Sequence, residues 1–326
     1  MNNKMEIISF IVDEEPNACW DWDLSEKNIE FLDGIDAEYF RYVAEVHADH
    51  LEADDSHRSA LALRITYSQA LEVLFALLSS LVQAPNCVVG WMLSYKNYQL
   101  KNVVRKINNH EQVYTRLNEQ NISWDLLSKY VHSYLGYDQE KTQWIREGFG
   151  KLWRRFANDF LDEKFTQEYN GAKHGLRTRP GGFTLAIGLE ETPGIPAPPD
   201  KMHNLGGSKF GTSYFSREKI LENNRINFTP RRQSRNWDPY NFVNGLGFLS
   251  MSINNIIAFL RILNKVDSKQ CKFLTPKENG FFDAPWERSV GVINFNFDKI
   301  IRTENVRPVT KEEIFASYCE QNKEES

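Results

Sequence analysis

The sequence predicts an α+β protein, predominantly α: a helical bundle core with a small antiparallel β portion in the second half. Three observations carry this expectation. Apolar residues recur every three or four positions through long stretches of the first half, the spacing of a helix face that meets a core. After Pro180-Gly181-Gly182 the period falls to two, the spacing of a strand with one covered face. Composition is that of an ordinary folded chain, 41% hydrophobic and 25% charged, and 326 residues can bury a large core.

Taken in order, residues 6–12 (EIISFIV) read as a short strand. Tyr39, Val43, Val46 and His50 place a helix over 36–52, and Asp54, Asp55 and Ser56 supply N-cap chemistry for the next. That helix, 57–83, is apolar except for a narrow stripe of Arg64, Ser68, Glu72, Ser79 and Gln83, so it must be covered on most sides; Pro85 ends it. Polar residues 97–121 and then 123–135 give two further helices. The strongest periodicity follows over 138–174: Ile145, Phe149, Leu152, Phe156 and Phe160, then Leu161, Phe165, Tyr169, Ala172 and Leu176, with a break expected near Thr166. Gly175 stands where a left-handed cap belongs.

Phe183, Leu185, Ile187 and Leu189 alternate as a strand facing a core, and 190–208 is a loop rich in Pro and Gly. Residues 210–215 and 225–229 are strand candidates, and Asp238-Pro239 opens a long apolar helix to about 265. A late strand over 289–297 precedes a polar tail. Four stretches result: an acidic extension over 1–56, the helical core over 57–180, β hairpins with a basic loop over 181–235, and over 236–326 a helix on the core, the late strand and the tail.

Cys19, Cys87, Cys271 and Cys319 lie far apart, which suits reduced thiols in the cytoplasm rather than a disulfide framework or zinc knuckle. The acidic N-terminus resembles neither a signal nor a transit peptide. The most apolar stretch, 61–82, holds Arg64, Gln69 and Glu72, so a core helix rather than a membrane partner is expected. The net charge of -5 is uneven: residues 1–60 hold 16 Asp and Glu against 4 Lys and Arg, leaving the remainder positive. There is no Gly-rich phosphate loop, dinucleotide fingerprint or Gly-x-Ser-x-Gly elbow, which disfavours the common nucleotide, hydride and esterase chemistries.

Three segments could carry chemistry. In Glu168-Tyr169-Asn170-Gly171-Ala172-Lys173-His174-Gly175, Asn170 and His174 share a helix face beside Lys173, and Arg177 and Arg179 follow in the turn. An imidazole among cations can act as acid or base on a phosphodiester, the cations stabilising a phosphorane. The plainer account is that Lys173 and His174 satisfy a helix C-terminus, where cations are favoured. Arg225, Arg231, Arg232 and Arg235, with Phe228 and Trp237 interleaved, suit single-stranded nucleic acid, against the plain alternative of a basic surface loop. His47 and His50 stand at ligand spacing, but an acidic solvated helix explains them and no metal is expected. Arg154 and Arg155 lie about five turns upstream of His174, on a solvated face with Arg155 spaced to pair with Asp159.

Asn170-x-x-x-His174-Gly175, late in a helix of a bundle, resembles the HEPN superfamily (higher eukaryotes and prokaryotes nucleotide-binding), and the Tyr-Asn-x-x-Lys-His-Gly run is similar to small bacterial helical proteins. The similarity spans 57–180. Asn170 matches the motif's polar position and His174 its histidine, while Tyr169 stands where the family has Arg. The resemblance implies a helical, often dimeric protein acting on RNA in bacterial defence or toxin systems. As a metal-independent endoribonuclease it would use His174, Asn170, Lys173 and Arg177, need no cofactor and leave a cyclic phosphate and a 5′-hydroxyl. The alternative, favoured by Tyr169, is a non-catalytic interaction module with a protein partner or a second copy of itself.

Overall fold

The computed structural model describes residues 7–114, 121–175, 177–220, 228–277, 281–296 and 301–324. The chain is predominantly helical with its larger antiparallel sheet in the second half, as the change of period predicts. Its contacts divide it into two units: Met1–Tyr169 with Asp238–Ser289, and Asn170–Trp237 with Val290–Ser326.

In the first unit, β1 (Ile7–Val12) pairs antiparallel with β2 (Glu15–Trp20) through a tight turn in which Asp13 takes a φ of 57°. The helices α1 (Leu24–Asp33), α2 (Glu38–Ala48), α3 (Ser56–Gln83), α4 (Val88–Ser94), α5 (Asn97–Asn108), α6 (Trp124–Val131), α7 (Gln139–Leu161) and α8 (Glu163–Lys173) follow, with α9 (Pro239–Leu263) returning later. Residues 7–56 of the acidic stretch are therefore folded into this unit, where Leu32, Phe40 and Ala44 are buried. The hairpin turn is held from α3 and α5: Gln83 binds the Asp13 backbone, and Lys106 pairs with Asp13 at 3.1 Å and with Glu14 at 2.6 Å.

α3 and α9 form the centre. Both are long and apolar enough to cross a membrane, and most of each is buried inside the unit. Gly245 makes their close approach possible, since a Cβ there would lie 2.6 Å from the Tyr67 ring. Most of the polar stripe of α3 is also buried, with Arg64 held by Glu168 and Gln83 by Asp13 and Trp91.

Several boundaries differ from expectation for local reasons. α5 stops at Asn108, and His110 turns the chain at a φ of 58°. The expected break near Thr166 falls at Asp162, whose extended backbone (ψ 116°) ends α7 and whose carboxylate accepts from Lys164 N–H. The expected tail contains α10 (Lys311–Glu324), started by a reciprocal cap: Thr310 N–H donates to Glu313, and Glu313 N–H to the Thr310 hydroxyl.

In the second unit, β3 (Thr178–Pro180), β6 (Gly211–Lys219), β7 (Phe228–Asn236) and β8 (Asn294–Asn296) make a four-stranded antiparallel sheet in the order β3-β6-β7-β8. The expected loop over 190–208 contains β5 (His203–Gly207), which pairs with β4 (Thr184–Ile187) as a separate ribbon. Its expected covered face is only partly covered: Phe183 and Leu185 are half-buried, while Ile187 and, beyond the strand, Leu189 are exposed.

Candidate nucleic-acid interface

The end of α8 places the first group of candidates. His174 N–H donates to Asn170 O at 3.0 Å, so the helical turn persists to His174. Gly175 then takes a φ of +84°, a conformation open to glycine, and the chain leaves the helix. Arg177 N–H reaches back to Gly171 O at 2.7 Å, satisfying a carbonyl of the last turn. Lys173, His174, Arg177 and Arg179 are exposed and Asn170 is half-buried, so the segment presents three cations and an imidazole to solvent. Among the described residues none hydrogen-bonds the His174 imidazole, so nothing there fixes its tautomer or aims it as a general base requires.

Tyr169, where the resemblance expects Arg, is half-buried in the first unit. Its hydroxyl meets Gln69, and burial together with the Glu72 carboxylate raises its pKa. The upstream arginines are engaged elsewhere. Arg155 pairs with Asp283 at 2.7 Å and stacks on Trp286, while Arg154 lies near Asp125 and His110. The expected partner of Arg155, Asp159, is instead half-buried and accepts from Tyr67 and Trp286.

The second group of candidates is split by the alternation of β7. Cross-strand register puts Tyr214 beside Gln233, Thr212 beside Arg235 and Ser216 beside Arg231 on one face. That face is the inner one: Thr212, Tyr214, Gln233 and Arg235 are buried. It also receives the end of α8, where a Cβ on Gly171 would lie 3.2 Å from Thr178 and 3.6 Å from Tyr214. Arg231 belongs to the same face and binds both Glu218 carboxylate oxygens, at 2.8 and 3.1 Å. Trp237 is buried just past the strand, its backbone N–H donating to Phe210 O. Arg231, Arg235 and Trp237 therefore do not stand on an exposed basic loop, because the expected loop is a strand that turns them inward. Arg225 lies outside the described residues.

The outer face is different. The register aligns Arg179, Ser213 and Ser234 across it, and pairs Phe215 with Arg232, Arg217 with Pro230 and Lys219 with Phe228. Phe215 is 67% exposed and Phe228 48%, both far above what a strand phenylalanine over a core would show. The Arg217 guanidinium sits 4.2 Å from the Phe228 ring centroid. Among the described residues this face carries four cations (Arg179, Arg217, Lys219 and Arg232) and no carboxylate. At its far end Phe183 packs against Phe295. Of these residues, Phe215, Arg217 and Lys219 are not among the candidates that the sequence marks. Their signal was the period-two pattern of Phe215, Arg217 and Lys219 in a stretch that also holds buried polar residues.

Elsewhere, burial lowers the pKa of His47, with neighbouring His50 adding to it, and no three metal-ligating side chains cluster among the described residues. A pocket of about 370 Å³ is lined mostly by apolar side chains, among them Val243, Phe248, Met251 and Pro276, together with Asn244 and Lys277. Compared with known proteins, the chain matches no family model, no curated protein and no solved structure.

Proposed function

We propose that the protein binds RNA through its second unit. The observation that carries this reading is the outer face of the four-stranded sheet, which gathers Arg179, Arg217, Lys219 and Arg232 with no described carboxylate among them. A polyanion gains from such a surface by releasing its counterions, and guanidinium groups match phosphate oxygens in shape as well as charge. Lys173 and Arg177 extend the positive charge along the chain from Arg179 to the end of α8.

A second reading adds cleavage, and the exposed His174 beside Lys173 favours it. His174 would take the proton of a ribose 2′-hydroxyl as that oxygen attacks the adjacent phosphate. Lys173 or Arg177 would stabilise the charge, and the 5′-oxygen would leave, taking a proton from the protonated His174 imidazole or from water, to give a cyclic phosphate and a 5′-hydroxyl end. Against it stand Tyr169 in place of an arginine and the unsupported imidazole.

The test is incubation of structured and unstructured RNA with purified protein in EDTA, wild type against His174→Ala, with circular dichroism as the folding control. Cleavage that disappears in His174→Ala establishes the second reading. RNA binding in both proteins without cleavage leaves binding alone. Absence of binding in the wild type rejects both.

A further inference from the structure

We infer that the outer face of the β3-β6-β7-β8 sheet is a base-stacking platform that takes single-stranded RNA in preference to duplex. This rests on the RNA-binding reading above and names the substrate class for the same surface.

The two phenylalanines carry the argument. Cations alone would hold any polyanion and do not need aromatic neighbours. Phe215 and Phe228 are nonetheless held in regular strands, on the face away from the buried inner layer, at 67% and 48% exposure. An exposed ring on a sheet gains little from burial in its own chain, but it offers a flat π surface on which a base can stack. Such stacking tolerates any base, because every base has a π face.

Their spacing suits a strand of nucleotides. Phe215 pairs with Arg232, and Phe228 pairs with Lys219, four residues farther along β6. At the usual rise the rings are about 14 Å apart along the strand direction, with Arg217 and Pro230 between them. The Arg217 guanidinium already lies over one face of the Phe228 ring, so a base would stack on the opposite face with the cation behind the ring. Arg232 beside Phe215 and Lys219 beside Phe228 place a positive charge next to each ring, where a phosphate would lie.

Duplex RNA cannot use this arrangement. Its bases are stacked on one another, and its accessible minor groove shows 2′-hydroxyls and base edges rather than base faces. The same cations would still attract its phosphates, so the distinguishing signal is the contribution of the rings. An acidic protein segment would satisfy the cations equally and would gain less from flat aromatic faces, which is why single-stranded RNA is the occupant assigned here.

The experiment is fluorescence anisotropy with the full chain, using a labelled mixed-sequence single-stranded RNA of about twelve nucleotides, the same strand in a duplex, and a labelled polyglutamate peptide. The proteins are wild type, Phe215→Ala, Phe228→Ala, their double variant, Phe215→Tyr and Arg232→Gln. Both rings are exposed, so the variants should fold, and circular dichroism checks this. The inference expects the wild type to favour the single strand. Each Phe→Ala should lose about tenfold in affinity for it, Phe215→Tyr should retain affinity, and duplex binding should be unaffected by any of them. Arg232→Gln should weaken single strand and duplex alike. Equal affinity for both RNAs, with an effect of Arg232→Gln but none of Phe→Ala, overturns the stacking platform and leaves RNA binding standing. Polyglutamate binding as tight as RNA, with the same Phe→Ala losses, also overturns it in favour of a protein partner. Absence of RNA binding in the wild type removes the underlying reading and this inference together.

Discussion

His132 shows how one buried side chain makes the first unit sensitive to pH. Its ring is fully buried, stacks on Phe149 at 4.5 Å, and is hydrogen-bonded at both nitrogens. Asn255 Nδ2 donates to Nε2 at 3.1 Å, which leaves Nδ1 as the donor to Ser128 O at 2.9 Å. A second proton would face the Asn255 amide in a fully buried site, and burial accordingly pushes the pKa down from 6.5 to about 4. Above pH 6.5 neither folded nor unfolded chain carries that proton. Between 6.5 and 4 the unfolded chain binds it and the folded chain does not, so stability falls as pH falls. The loss is on the order of 3 kcal/mol once pH is below the folded value. Urea unfolding at pH 7 and at pH 4.5 measures it, with His132→Phe as the reference. That variant should start less stable at pH 7 because Asn255 loses a partner, and should then lose less on acidification. Equal losses in the two proteins would place the pH dependence elsewhere.

α8 is fixed to α3 by an ion pair rather than by apolar contact alone. Arg64 and Glu168 side chains are each 2% exposed, with Arg64 Nε and Nη2 at 3.0 and 2.9 Å from one carboxylate oxygen. The guanidinium also lies 3.9 Å from the Phe165 ring centroid. Removing one partner strands a buried charge, so Glu168→Gln should cost about 3–5 kcal/mol in urea unfolding, and Arg64→Met with Glu168→Leu should recover most of it. A cost below about 1 kcal/mol for Glu168→Gln would mean that water reaches the pair. The sequence showed Arg64 as a polar position on an apolar helix but could not show its partner, which lies 104 residues away. The same contrast runs through the candidate interface. Gly175 after His174 signals a helix end, and it does cap α8 with a positive φ. β7 was legible only to Thr229, because Pro230 lacks a ladder donor and Arg231-Arg232-Gln233-Ser234-Arg235 contains no apolar residue to mark a covered face. Its alternation appears only in burial, with Gln233 and Arg235 inward and Arg232 outward.

At the scale of the whole chain, net charge opposes the proposed ligand, and its distribution decides whether binding is feasible. The first unit holds 23 Lys and Arg against 32 Asp and Glu, while the second holds 16 against 12. A chain of net charge -5 has no global attraction for RNA, so affinity must arise from local phosphate contacts on the second unit. Those contacts can be counted through salt. The sheet's outer face offers four cations, and Lys173 with Arg177 raises the total to six. Each phosphate neutralised on a single strand contributes about -0.7 to the slope of log affinity against log salt, which gives about -3 to -4 here. Replacing Arg179 and Arg232 together by Gln should make that slope shallower by about 1.4. Neither residue is tied to a described partner, so the change should leave thermal stability within about 0.5 kcal/mol of wild type. The measurement is anisotropy titration of single-stranded RNA from 50 to 200 mM salt, conditions chosen to span the steep range. A slope near zero would mean that phosphates are not what the second unit holds. A steep slope unchanged by the double substitution would move the binding surface off the sheet. Only a steep slope reduced by about the stated amount places the phosphates on the face that carries Phe215 and Phe228.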